Sequence, residues 1–149
     1  IADIPALDER NVGNSKLSYK IKNGKKTKLS ARNTDKIKEM ILNTTSPYVF
    51  ANKKDQKIFE KIANEVKTVR LGGDCYSYCL LADGHIDLVI ESGLKPWDIR
   101  ALEPIIVNAG GILKTWEGNK IFNGGRVIAA TNDQLFKKAK NKMNKKKPS

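Results

Sequence analysis

Histidine is all but missing from this chain: His85 is the single imidazole in 149 residues, and Cys75 and Cys79 are the two thiols. That scarcity excludes zinc cages built from His and Cys, and the i, i+4 cysteine spacing is not a redox C-x-x-C. On a helix the same spacing places both thiols on one face with apolar neighbours, so both are expected as buried free cysteines. No apolar run approaches the ~20 residues of a membrane-spanning helix, and no signal-peptide pattern opens the chain. A cytoplasmic protein without a membrane partner is the expectation. Acids are also short, 16 against 28 Lys and Arg, for a net charge of +12. Such a balance invites a nucleic-acid reading. Arginine, the better base reader, stands at only Arg10, Arg32, Arg70, Arg100 and Arg126, and no helix-turn-helix, finger or RNA-binding signature accompanies the lysines. A solvated lysine surface is expected instead, with no nucleic-acid partner.

What is present is one domain's worth of chain, 40% hydrophobic and 30% charged, enough to bury a core. "IADIPALDER" reads as a first strand whose Pro5 suits an edge or bulge. "LSYKIKNGKKTKLS" alternates on both sides of Asn23-Gly24, the strongest short-range hairpin signal. Asn33 or Thr34 caps a short predicted helix over 35–40, followed by strand "ILNTT" and a Ser46-Pro47 break. "NKKDQKIFEKIANEV" puts Ile58, Phe59, Ile62 and Val66 on one helical face. "TVRLGG" is a short strand. The helix predicted over 74–83 turns Tyr78, Leu81 and Ala82 inward. "HIDLVIESG" alternates Ile86, Leu88 and Ile90 into a core, which puts Glu91 on the opposite, solvent side. A helix over 97–109 is kinked at Pro104 and stopped by Gly110-Gly111. Two strands follow, "ILKTWEG" and "RVIAATN", and Asp133 caps a last helix. Strands alternating with helices after residue 40 mean an α/β layered fold. The predicted organisation is a β-hairpin segment over 1–32, an α/β domain over 33–143 and a Lys-rich tail over 144–149. Opening at Ile1 directly in a strand-like stretch, the chain reads as one entered partway through a fold.

Three places could carry chemistry. Asp98, in the first turn of the 97–109 helix, has an ordinary reading as a dipole-favoured helix-start acid. With Pro96 fixing the backbone and Trp97 anchoring the turn by burial, it also suits Mg²⁺, which demands rigid oxygen geometry. Glu91, at the end of a strand, could accept hydrogen bonds from substrate hydroxyl or amino groups. In "RLGGDCY", Gly72 and Gly73 permit close backbone approach at a helix start. Asp74 there is either an N-cap or an acceptor for a cationic amine. Arg70 could meet phosphate, or pair with Glu91 or Asp74.

The stretch "GGDCYSYCLLADGHIDLVIESGLKPWDIRALEPIIVNAGG" resembles the C-terminal signature of the inositol monophosphatase family, in which Trp-Asp opens a helix ending in Gly-Gly. Gly-Gly-Asp-Cys-Tyr, with "NGKKTKLSARNT" and "TTSPYVF" upstream, is most similar to the histidinol-phosphate phosphatase branch. The resemblance implies the C-terminal half of an αβαβα sandwich, preceded by an antiparallel hairpin belonging to the other sheet. It implies Asp98 as metal ligand and catalytic residue, also touching substrate. Glu91 then contacts the non-phosphate part of the substrate, Gly72, Gly73 and Asp74 line the pocket, and Arg70 lies at a basic substrate contact. The family's upstream acidic cluster, a glutamate pair followed by Asp-Pro-Ile-Asp-Gly-Thr, has no counterpart here. Two-metal phosphoryl chemistry needs several carboxylates. The resemblance therefore implies two or three Mg²⁺ in the complete enzyme, held weakly or not at all by this chain. It also implies a small phosphorylated metabolite as substrate, and a missing N-terminal half in cis or trans. By itself the chain is expected to be inactive. Two other readings stay open: an inositol-phosphate or nucleotide 3′-phosphate phosphatase of the same family, and a non-catalytic half-domain acting as a homodimer or basic binding module.

Overall fold

In the computed structural model, residues 1–144 are described. The predicted tail over 144–149 thus lies outside the described residues, save Asn144. The first strands are β1 (Ala2–Ile4), β2 (Glu9–Gly13), β3 (Ser18–Lys22) and β4 (Lys25–Lys28). They pair in that order into an antiparallel sheet, so the expected hairpin is the outer half of a four-stranded one. Asn23 and Gly24 take φ of 49° and 72°, as a two-residue hairpin turn requires. Pro5 ends the edge strand β1 by opening a 3-10 turn.

The second sheet has the order β6-β5-β7-β9-β8, formed from β5 (Ile41–Thr44), β6 (Thr68–Leu71), β7 (Leu88–Leu94), β8 (Ile112–Thr115) and β9 (Gly125–Ala130). β5 runs parallel to both β6 and β7, while β9 is antiparallel to β7 and β8. The helices are α1 (Lys53–Ala63), α2 (Asp74–Ala82), α3 (Pro96–Ile99), α4 (Glu103–Asn108) and α5 (Asp133–Asn144). Two separate cores result. Tyr78, Leu81, Val89, Ile105, Ile106 and Val127 pack α2 and α4 between the two sheets. Phe59, Ile62, Leu88, Ile90, Ile128, Leu135 and Phe136 pack α1 and α5 on the outer face of the second sheet. β7 is therefore covered on both sides, and Leu88, Val89, Ile90, Glu91 and Ser92 are all buried. This overturns the expected exposure of Glu91. Alternation does put it opposite Leu88 and Ile90, but that face lies beneath α2.

Local chemistry corrects other expectations. The short helix over 35–40 is a 3-10 turn at Ile37–Glu39 preceded by Lys36, with no side-chain cap from Asn33 or Thr34. The last helix is capped by Asn132, not Asp133: the Leu135 N–H donates to Asn132 Oδ1 at 2.8 Å. The helix over 97–109 is interrupted, not merely kinked, because Pro104 sits in the first turn of a second helix. Gly110, at φ 93°, ends that helix as expected. The sheets are tied by Arg32, which binds Asp87 through both guanidinium Nε and Nη2, while the Ile41 N–H donates to the same carboxylate at 2.7 Å.

Candidate active site

A cavity of about 470 Å³ opens at the carboxyl ends of β5 and β7, beside the start of α2. From β5 the chain crosses to β6 on one side and later to β7 on the other. Such a divergence of connections leaves a crevice outside the strand ends, the usual ligand position in open α/β sheets. Thr45 and Ser46 enter it from β5, Asp74 and Cys75 from α2, Glu91 and Ser92 from β7, and Trp97 and Asp98 from α3.

Glu91 is held on both oxygens. The Thr45 N–H donates to Oε1 at 2.8 Å and the Tyr78 hydroxyl donates to Oε2 at 3.0 Å. Burial, then the Glu91 carboxylate, push the Tyr78 phenol well above its ordinary value, so it stays a donor. Asp98 closes its own helix turn: the Lys95 N–H donates to Oδ2 at 2.7 Å, and the Asp98 N–H returns a bond to the Lys95 carbonyl at 3.0 Å. That is ordinary helix-start chemistry, and it accounts for one oxygen. Asp98 Oδ1 carries no hydrogen bond among the described residues. Trp97 is 77% exposed, so it does not anchor the turn by burial as expected; Pro96 and the buried Ile99 hold it.

Asp74 does not cap α2. Gly73 precedes the helix at φ 107°, and Asp74 itself takes φ 42°, the left-handed region an L-residue enters at a cost. Gly73 cannot carry a Cβ, which would stand 2.5 Å from Ser77 Oγ, the hydroxyl that ties α2 to Asn43 at 2.8 Å. The Asp74 side chain is thereby left free at the cavity wall. Cys75 is exposed, contrary to expectation, while Cys79 is buried. Partial desolvation and neighbouring Asp74 raise the Cys75 thiol above its ordinary value, which favours the protonated form. Arg70 is exposed on edge strand β6, forms no ion pair with Glu91 or Asp74, and does not line the cavity. The structure thus brings Asp74, Glu91 and Asp98 to one wall and leaves Arg70 outside. Gly72 and Gly73 shape the α2 entry without lining it. Thr45, Tyr78 and Ser92 went unnoticed as site residues, and the Thr-Thr-Ser-Pro run ending β5 was the available signal.

The sequence profile of the inositol monophosphatase family matches residues 4–147. The chain belongs to that family. It is 42% identical over 125 residues to the bifunctional phosphatase IMPL2, chloroplastic, of Arabidopsis thaliana, which covers 80% of this chain and 34% of that protein. A histidinol-phosphatase of Mycobacterium tuberculosis is 35% identical over 86 residues, 58% of this chain and 33% of that one. Among solved structures, an inositol monophosphatase from Zymomonas mobilis superposes with a TM-score of 0.85 at 38% identity, over 92% of this chain and 53% of that one. The chain thus spans about a third of these curated relatives and about half of that solved chain.

The carboxylates of the cavity are oxygen donors of the hard kind Mg²⁺ prefers, yet no three His, Cys, Asp or Glu side chains converge as a cage among the described residues. One open carboxylate oxygen, on Asp98, does not make a magnesium site. No helix among the described residues is long and apolar enough to cross a membrane.

Proposed function

We propose that this chain is the substrate-selecting half of a Mg²⁺-dependent phosphomonoesterase of histidinol-phosphatase type, acting on a small phosphorylated metabolite that bears an amine. The remaining metal-binding acids then belong to polypeptide outside these residues, in cis or in trans. Enzymes of the family generally use Mg²⁺, act on small phosphorylated substrates and are often dimeric.

One observation carries the reading. In a chain of net charge +12, the cavity wall holds three carboxylates, Asp74, Glu91 and Asp98, and no Lys, Arg or His. A phosphate dianion is repelled by such a wall unless cations accompany it. A divalent cation reached by Asp98 Oδ1 meets that need at one end, and an ammonium at Asp74 meets it at the other. Glu91, immobilised by Thr45 and Tyr78, keeps lone pairs for a substrate hydroxyl or amine. The relatives named histidinol-phosphatase support the amine-bearing substrate. An inositol phosphate is the second reading, favoured by the match to the Zymomonas mobilis structure, and Asp74 discriminates between them.

The test is phosphate release by the chain complemented with a metal-binding N-terminal half. L-histidinol phosphate is expected to be cleaved in preference to myo-inositol 1-phosphate. Asp98→Asn should lower kcat at least about 100-fold, the scale of losing a charge that stabilises the transition state. Asp74→Asn should raise KM for histidinol phosphate roughly tenfold, as loss of one charged hydrogen bond does. Full activity of Asp98→Asn would refute its assigned role.

A further inference from the structure

Outside the cavity's chemistry lies a buried carboxylate with no part in it. Asp55, in the first turn of α1, is 1% exposed. The Ser92 hydroxyl donates to Asp55 Oδ2 at 2.5 Å and accepts from the Ala51 N–H at 3.4 Å. Arg126 Nε stands 3.7 Å from the same Oδ2. Asp55 Oδ1 is buried without a hydrogen-bond partner among the described residues. A half-satisfied buried acid is costly to keep, and native proteins retain few of them.

Its position explains what it does. β7 and β9 pair Glu91 with Val127 and Leu94 with Gly125, so two residues of β7, Ser92 and Gly93, oppose the single Arg126. This is a β-bulge, and bulges re-aim the side chains that follow them. Asp55 contacts both of its sides, Ser92 on β7 and Arg126 on β9. Glu91 precedes the bulge, and the turn bearing Asp98 follows it. At Gly93 the backbone takes φ 89°, a left-handed conformation that favours glycine, and lies in ordinary contact range of Ala51. Bulge, loop and α1 are therefore gathered on one hydroxyl.

We propose that Asp55 and Ser92 are positioning residues: a buried brace that holds the bulge and so fixes Glu91 relative to Asp98. The inference rests on the roles given to Glu91 and Asp98 above, and its test has two arms so that the two readings fail separately. In the chain itself, hydrogen exchange of the Thr45 amide, which is held by Glu91, reports the brace without any activity. Ser92→Ala and Asp55→Asn should each speed that exchange roughly tenfold, while amides of Ile128 and Ala129 in the centre of β9 hold theirs, since local opening need not follow global opening. Ser92→Thr, which keeps the hydroxyl, should restore the slow rate. The double variant should be no worse than either single one, as for two members of one interaction. In the complemented enzyme, Asp55→Asn, outside the cavity lining, should raise KM for L-histidinol phosphate about fivefold, the consequence of a small misplacement, and leave KM for p-nitrophenyl phosphate within about twofold. Unchanged exchange at Thr45, or equal acceleration at Thr45 and Ile128, overturns the brace. Equal shifts of both KM values overturn its role in substrate positioning. A complemented wild type that cleaves neither ester refutes the phosphatase reading and leaves the exchange arm to decide the brace.

Discussion

Asp87 and Arg32 show how much of this fold depends on single side chains. Asp87 is fully buried at the start of β7, and Arg32, a third exposed, reaches it from the segment leaving the first sheet. Burial works to raise the Asp87 carboxyl; the Arg32 guanidinium and the Ile41 N–H outweigh it and hold the group below its ordinary 3.8. Because the folded value is the lower one, its stabilising contribution is present above the ordinary carboxylate value and lost as pH falls through the depressed one. Denaturant unfolding followed from pH 7 down to pH 2 should show this acid loss, and Asp87→Asn should flatten it. At pH 7 the same substitution should cost about 2–3 kcal/mol, at or below the low end for a broken buried pair because Arg32 keeps contact with water. Neither residue stood out in the sequence. A lone Arg and an Asp 55 positions apart carry no local pattern, and only the meeting of the two sheets pairs them.

The elements were legible wherever one period governed them. Asn23-Gly24 marks its hairpin, and Phe59 and Ile62 of α1 turn inward as their spacing dictates. Legibility failed where a second neighbour intervened. On β7, alternation suggested one wet face, yet α2 covers it and converts Glu91 from a surface acid into a buried, doubly held acceptor. The helix after Trp97 was read as one piece kinked at Pro104 because the apolar repeat continues past the proline; the chain instead restarts there as α4, with Pro in the first turn, where its missing N–H costs nothing. The seam between α4 and β2 makes a prediction at this scale. A Cβ on Gly13 would lie 2.4 Å from the Ile105 nitrogen and 2.5 Å from the Pro104 carbonyl carbon, both backbone atoms that cannot rotate away. Gly13→Ala should destabilise the protein by about 2–3 kcal/mol through overpacking. Chemical denaturation would check it, and an unchanged midpoint would mean that the two layers are not in contact.

At the scale of the molecule, charge is sorted. A chain of +12 keeps its lysines largely outward and gathers Asp74, Glu91 and Asp98 around one cavity. With no cage of three ligands among the described residues, the chain alone should show no Mg²⁺ heat at millimolar metal in calorimetry and no phosphate release. Addition of the complementary half should produce both. Turnover by the chain alone would overturn the division of labour proposed here. Sequence by itself determined the layered α/β class, the hairpin, the family and the three acids, because these rest on local periodicity, turn chemistry and a contiguous motif. Tertiary structure decided which of those acids share a wall, that Arg70 stands apart from them, that Glu91 is buried and that Asp55 meets Ser92 and Arg126 at the bulge beside it. Those facts depend on which faces other elements cover, and burial of a residue by a distant segment leaves no trace in its own neighbourhood of the chain.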